Sequence, residues 1–330
     1  MRDGRLLLTP TAFLLAGSLF LAALAVAQPF AVAAFSVLLL GPLHVLLASR
    51  YLAGRGLPAL SGAVGRTVAL AVMAMTLVRV VAVIVPDAGR VLELFGSWAI
   101  VGFAVWVGLR GRLRLLGLAA ALMLALLSLA ELPAYWHLLT HGHNLIPLIF
   151  LWDWARRFSP TARITFVAGN LVWVLGIPVL LLTGLLDPLL NPTVPAAVSG
   201  LTDPGFLLGG AAPAGATQIQ GLRYLAVFCF LQLMHYALWM VFFQICGRPE
   251  TRRLAERFPA VAGWRFWAAA ATVSVLVWGA YAIGYQDGRA TYAVLGALNV
   301  YLEQPLAIWL LLTALPTAAT TPLVARLRLG

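Results

Sequence analysis

The chain has 330 residues, of which 62% are hydrophobic and only 10% charged, and it carries a formal net charge of +11. That much apolar surface exceeds what one soluble core can bury, so a soluble globular protein is excluded and an integral membrane protein is expected. The basic residues are all arginine, and in a membrane chain they are read against lipid headgroups, which excludes nucleic acid as the partner.

Taken in order, the first apolar run, 8–27, follows Arg2 and Arg5 like a signal-peptide start. It lacks a small-x-small cleavage site with a polar segment after it, and is read as a retained span. Further runs at 30–50, 66–86, 91–109, 113–131, 134–158, 164–185, 220–246, 264–284 and 292–316 bring the predicted spans to ten. Each is close to the ~20 residues that a helix needs to cross ~30 Å of hydrocarbon. With the N-terminus inside, eighteen of the 22 arginines fall on the inner side. Arg90, Arg223 and Arg289 fall outside, and Arg79 lies within a span. A miscounted span would reverse every later loop and mix these classes, so the arginines favour ten spans with both termini cytoplasmic. The expected fold is an all-α, polytopic helical bundle forming one membrane domain over residues 1–330, multi-pass in the cell inner membrane. The longest connection, 186–219, is an outer loop rich in Pro, Gly, Ala and Thr, and reads as a lid, a re-entrant segment or a plain loop. The inner connection 247–263 mixes acids with arginines and is predicted to form a short helix on anionic headgroups. Cys229 and Cys246 lie too far apart along one predicted helix to bridge, and no CxxC motif is present.

Polar groups inside hydrocarbon are costly, so the ionisable residues within spans are the functional candidates: His44, Arg79, His137, His141, Asp153, His235 and Glu303. His137 and His141, in ELPAYWHLLTHGHNLIPLIF, are four apart, a spacing that stacks two imidazoles on one helix face and suits a metal ion. Asn144 continues that face and His143 is offset from it. The alternative is ordinary interfacial histidines satisfied by water. His44 and His235 are each the only histidine of their span, so three helices offer four imidazoles. Counted from the outer ends, His44 and His235 lie about 10 Å deeper than His141. Either one site or two follows, and His44 with His235 also suits the axial pair of a b-type haem. Glu303 is placed to complete a metal shell, orient a ligand or relay protons, and its expected ion-pair partner is Arg79. Asp153 reads as an interfacial partner of Arg156 and Arg157.

With these histidines in view, the chain resembles the Brp/Blh-type β-carotene dioxygenases, polytopic bacterial membrane proteins that hold non-haem iron through histidines of several spans, including an H-x-x-x-H pair. The resemblance implies His137 and His141 for the pair and His44 for an isolated early ligand. It departs in order, since His235 follows the pair here. It implies iron and O₂ chemistry on an apolar polyene. The reading carried forward is a membrane-embedded, His-ligated metalloenzyme using His44, His137, His141 and His235 as ligands, with Glu303 and Arg79 as catalytic candidates. Iron is the expected metal, zinc and copper being alternatives, and the substrate a lipophilic small molecule such as a lipid or isoprenoid. Competing readings are a b-haem electron carrier on His44 and His235, a proton-coupled transporter using Arg79, Glu303 and His235, and a structural subunit of a larger complex. The oligomeric state is left open.

Overall fold

The computed structural model describes residues 2–60 and 62–329, apart from the side chains of residues 2–13, Val261 and Leu329. These residues fold into helices α1 (Arg2–Ala27), α2 (Pro29–Gly56), α3 (Gly62–Ile84), α4 (Pro86–Gly108), α5 (Gly111–Ala130), α6 (Leu132–Gly142), α7 (Pro147–Ala155) and α8 (Pro160–Leu182). Then follow α9 (Ala196–Ser199), α10 (Pro204–Ala211), α11 (Gln218–Ala237), α12 (Phe243–Cys246), α13 (Arg248–Arg257), α14 (Gly263–Ile283), α15 (Tyr285–Leu312) and α16 (Pro322–Leu329). No strand occurs among the described residues, and an isolated antiparallel bridge joins Leu109 to Thr320. Proline opens α4, α7, α8 and α10, where its missing N–H is one that a helix leaves unpaired in any case.

Among the described residues eight helices are long and apolar enough to cross a membrane: α2, α3, α4, α5, α8, Gln218–Cys246, α14 and α15. Their outer faces are hydrocarbon-like. On α5 alone Leu115, Leu116, Leu122, Met123, Leu126 and Leu127 are exposed, a surface that water would not tolerate and lipid covers. The span expected at 134–158 is not one helix. It breaks into α6 and α7 at a 3₁₀ turn, His143–Leu145, which Ile146 separates from Pro147. Proline has no N–H to continue the ladder, and its ring clashes with the carbonyl four residues back, so the helix has to restart there. The span at 220–246 is interrupted differently, by a π turn over Leu238–Phe242 that starts three residues after His235.

Packing divides the chain into two compact units, Met1–Leu40 with Trp136–Leu238, and Gly41–Tyr135 with Trp239–Gly330. In the first, α8 packs on α1, α7 and α11, and α11 also packs on α1, α10 and the 3₁₀ turn. Buried polar groups are paired inside it: Gln232 donates to Ser36 at 2.7 Å, and the Cys229 thiol to the Pro29 carbonyl at 3.1 Å. The long 186–219 connection is not a plain loop. It carries α9 and α10, and Arg223 ties its start down by donating to Asp187. That guanidinium holds the Asp187 carboxyl below its ordinary range.

In the second unit α15 packs against α3, α4, α14 and α16. A single residue, Val85, joins α3 to α4, so the two helices form a tight hairpin. Gly89 is required there, because a Cβ at that position would lie 2.1 Å from the Cα of Ala82. The surface helix expected in 247–263 is α13, which buries Glu250, Thr251 and Leu254 and seats the Glu250 carbonyl against Gly54 of α2.

Candidate functional site

In the first unit the break at His143–Leu145 sets where the imidazoles go. His137 and His141 keep their helical spacing on α6, with ring centroids 4.7 Å apart. Tyr224 of α11 stands edge-on to His137 at 5.3 Å and lies 6.2 Å from His141, and Phe228, one turn further along α11, meets His141 edge-on at 6.0 Å. The Nε2 of His141 lies 2.8 Å from the carbonyl oxygen of Ala211, the last residue of α10. A carbonyl only accepts, so Nε2 carries the proton and the Nδ1 lone pair is left unprotonated. That Nδ1 is buried with no hydrogen-bond partner.

His235, fully buried on α11, has His143 against it at 4.6 Å between ring centroids. The expectation was that His235 would join His137 and His141 while His143 faced elsewhere; in the structure His143 is the imidazole against His235. The helix is continuous as far as Gly142, and the spacing of the histidines did not show that α11 packs on the face that His143 presents. His143 opens the 3₁₀ turn that packs against α11, and that contact sets its ring against His235. Asn144, expected to extend the histidine face, instead donates back to the Thr140 carbonyl at 3.0 Å. The imidazoles of this unit therefore stand as two pairs. Among the described residues no group of three or more His, Cys, Asp or Glu side chains is arranged to hold a metal ion.

His44 belongs to the second unit. It is 2% exposed, its Nδ1 donates to the Gly41 carbonyl at 2.6 Å, and its ring lies 6.3 Å from that of Tyr292. The two catalytic candidates, Arg79 and Glu303, are also here, and the ion pair expected between them is replaced by another. Arg79 donates to Oε2 of Glu93 at 2.8 Å, while the Tyr301 hydroxyl donates to Oε1 of the same carboxylate at 2.6 Å. Glu93 is 2% exposed and is held from two sides. Glu303, fully buried, accepts from the Asn299 amide one turn earlier on α15, and the Trp239 indole stands by it. Ser97, one turn beyond Glu93 on α4, donates to Gln304. Glu93 and Tyr301 were not among the residues singled out from the sequence. Asp153 behaves as expected, 3.6 Å from Arg156.

Comparison with protein-family models, with curated proteins and with solved structures returns no match. The functional reading therefore stands on this chain's own residues.

Proposed function

We propose that this polytopic membrane protein binds one transition metal at His137 and His141, with the Tyr224 phenol as a third donor, and uses it as a metalloenzyme on a lipophilic substrate. The observation that carries the reading is His141. Its Nε2 proton is committed to the Ala211 carbonyl, and its buried Nδ1 offers a lone pair beside the His137 ring. A ligating histidine is commonly held in this way, one nitrogen fixed by a carbonyl and the other turned to the metal. Two imidazoles and a phenol leave coordination positions open, which suits non-haem iron and O₂, with zinc and copper accepted by the same donors. The resemblance to the Brp/Blh-type dioxygenases points to the same chemistry.

The reading includes ten spans, adding α1 and the broken α6–α7 to the eight, with both termini cytoplasmic in the inner membrane. It is supported by contacts inside the second unit among positions expected on the inner side. Arg110 N–H donates to the Ala319 carbonyl, Thr321 N–H to that of Gly108, and Arg55 to that of Leu327.

Elemental analysis and an absorption spectrum of protein purified without chelator test the metal. About one metal per chain is expected; His137→Ala and His141→Ala should lose it and His143→Ala should keep most of it, since each of the first two removes a ligand. Content far below one per chain, or full content in His141→Ala, would refute the site. A Soret band would replace it by a b-haem protein.

A proton-coupled carrier is the second reading, favoured by two buried carboxyls, Glu93 and Glu303, on neighbouring helices α4 and α15. It requires substrate-dependent proton flux in vesicles from metal-free protein.

A further inference from the structure

Between α3 and α4, and floored by α15, runs a crevice of about 260 Å³ with an apolar lining. Thr67, Ala74 and Ala99 stand exposed at its rim, and Met75, Ile100 and Tyr301 are buried at its floor. It is open because the facing positions are small. The space that Gly96 leaves is already taken by Met75, whose Sδ would lie 2.1 Å from a Cβ on that glycine. Left empty, an open crevice of this size would forfeit dispersion contacts along its walls, so whatever lies against its mouth fills it. On α3, Leu70, Met73 and Leu77 beside the mouth are exposed apolar residues of a helix of membrane-crossing length, and what lies against such a face is bilayer hydrocarbon.

The polar atoms nearby are turned away. Tyr301 lends the crevice its ring while its hydroxyl donates to Glu93, so the lining offers no hydrogen bond to a headgroup. The stretch of α3 from Thr67 to Met75 runs about 12 Å, a length that takes a segment of chain and not a compact head. We propose that this crevice binds the acyl chain of a bilayer phospholipid, its end resting on the Tyr301 ring. The bound chain then bears directly on one of the two groups that hold the Glu93 carboxylate. The site does not depend on the metal reading, because every residue in it belongs to the second unit.

The test reconstitutes the intact protein in phosphatidylethanolamine vesicles containing a trace of phospholipid with a diazirine at the acyl terminus, followed by photolysis and peptide mapping. Labelling of residues 67–75 and 96–103 is expected to exceed several-fold that of the exposed α5 face. Ala74→Leu and Ala99→Leu each fill the mouth from an exposed rim position, where the fold tolerates a larger side chain. Either should lower the α3 and α4 labelling to the α5 level and leave α5 unchanged. Equal labelling of the two regions in the wild type, or labelling that survives both fillings, would overturn the site. Labelling by a polyprenyl diazirine probe in place of the acyl probe would overturn the acyl assignment.

Discussion

At the scale of single residues, the second unit shows how a buried charge is kept. Glu93 has a guanidinium on one oxygen and a phenol on the other, so removing either donor leaves part of the carboxylate unsatisfied. Arg79→Met is expected to destabilise by about 3 kcal/mol, the low end for a broken buried pair because Arg79 is partly exposed. Arg79→Met with Glu93→Gln should cost less than the two single changes added together. Thermal unfolding in detergent measures all three, and strict additivity would mean that the pair contributes nothing. Arg79 was legible as a buried charge needing a partner, but the partner was misread. Glu93 sits in the apolar run 91–109 and was passed over, although it carried the signal: it lies eight residues after Val85, and Arg79 lies six before it. Across so short a turn these depths nearly match, whereas Glu303 is matched only by counting from an assumed membrane surface.

A second residue-scale consequence concerns acid. Arg223 holds the Asp187 carboxyl below its ordinary value, so the tie is fully present above that ordinary value and is lost as pH falls through the depressed one. Protease cleavage in 186–217 should therefore rise on acidification in the wild type. In Asp187→Asn it should be raised at every pH, and an acid-dependent increase of the same size in that variant would exclude the tie as its cause.

At the scale of elements, most spans were legible because hydropathy and length suffice to find a helix in lipid. The breaks were not legible in the same way. Pro147 was read as a residue within the 134–158 span, and hydropathy does not register a 3₁₀ turn or a π turn, since neither changes composition. The pairing of His143 with His235 was not legible either, because helical spacing does not say which neighbouring helix a face will meet. The α3–α4 hairpin yields a prediction in which two similar substitutions have opposite signs. Gly89→Ala drives a methyl into the Ala82 backbone and should cost about 1–3 kcal/mol. Gly102→Ala, whose nearest neighbour is a Leu118 methyl at 3.8 Å, should gain up to about 1 kcal/mol from helix propensity. Comparable melting temperatures for the two variants would mean that α3 and α4 do not approach so closely.

At the scale of the whole molecule, the arginine distribution makes the topology testable. Under the proposed inner-membrane orientation, a cysteine at Thr193 should be labelled by an impermeant thiol reagent in cells whose outer membrane is permeabilised, and one at the exposed Arg252 should be protected until the inner membrane is opened. The reverse pattern would invert the orientation. The Arg79–Glu93 pair also bears on how the chain enters the bilayer. A lone arginine at a helix centre opposes insertion by roughly 2.5–3.5 kcal/mol, and an acid opposes it comparably. Here the opposing charges lie 14 positions apart on the two arms of one hairpin, so each can neutralise the other as soon as both arms leave the ribosome. Tyr301 is 208 positions further on, which at ordinary synthesis speed is a delay of roughly 10–40 s. Through that interval Arg79 is the side chain that keeps Glu93 in the membrane. An Arg79 variant should therefore also lose yield during biogenesis, with α3–α4 of part of the newly made chain left untranslocated and open to quality-control proteases, so that thermal unfolding reads only the fraction that was inserted.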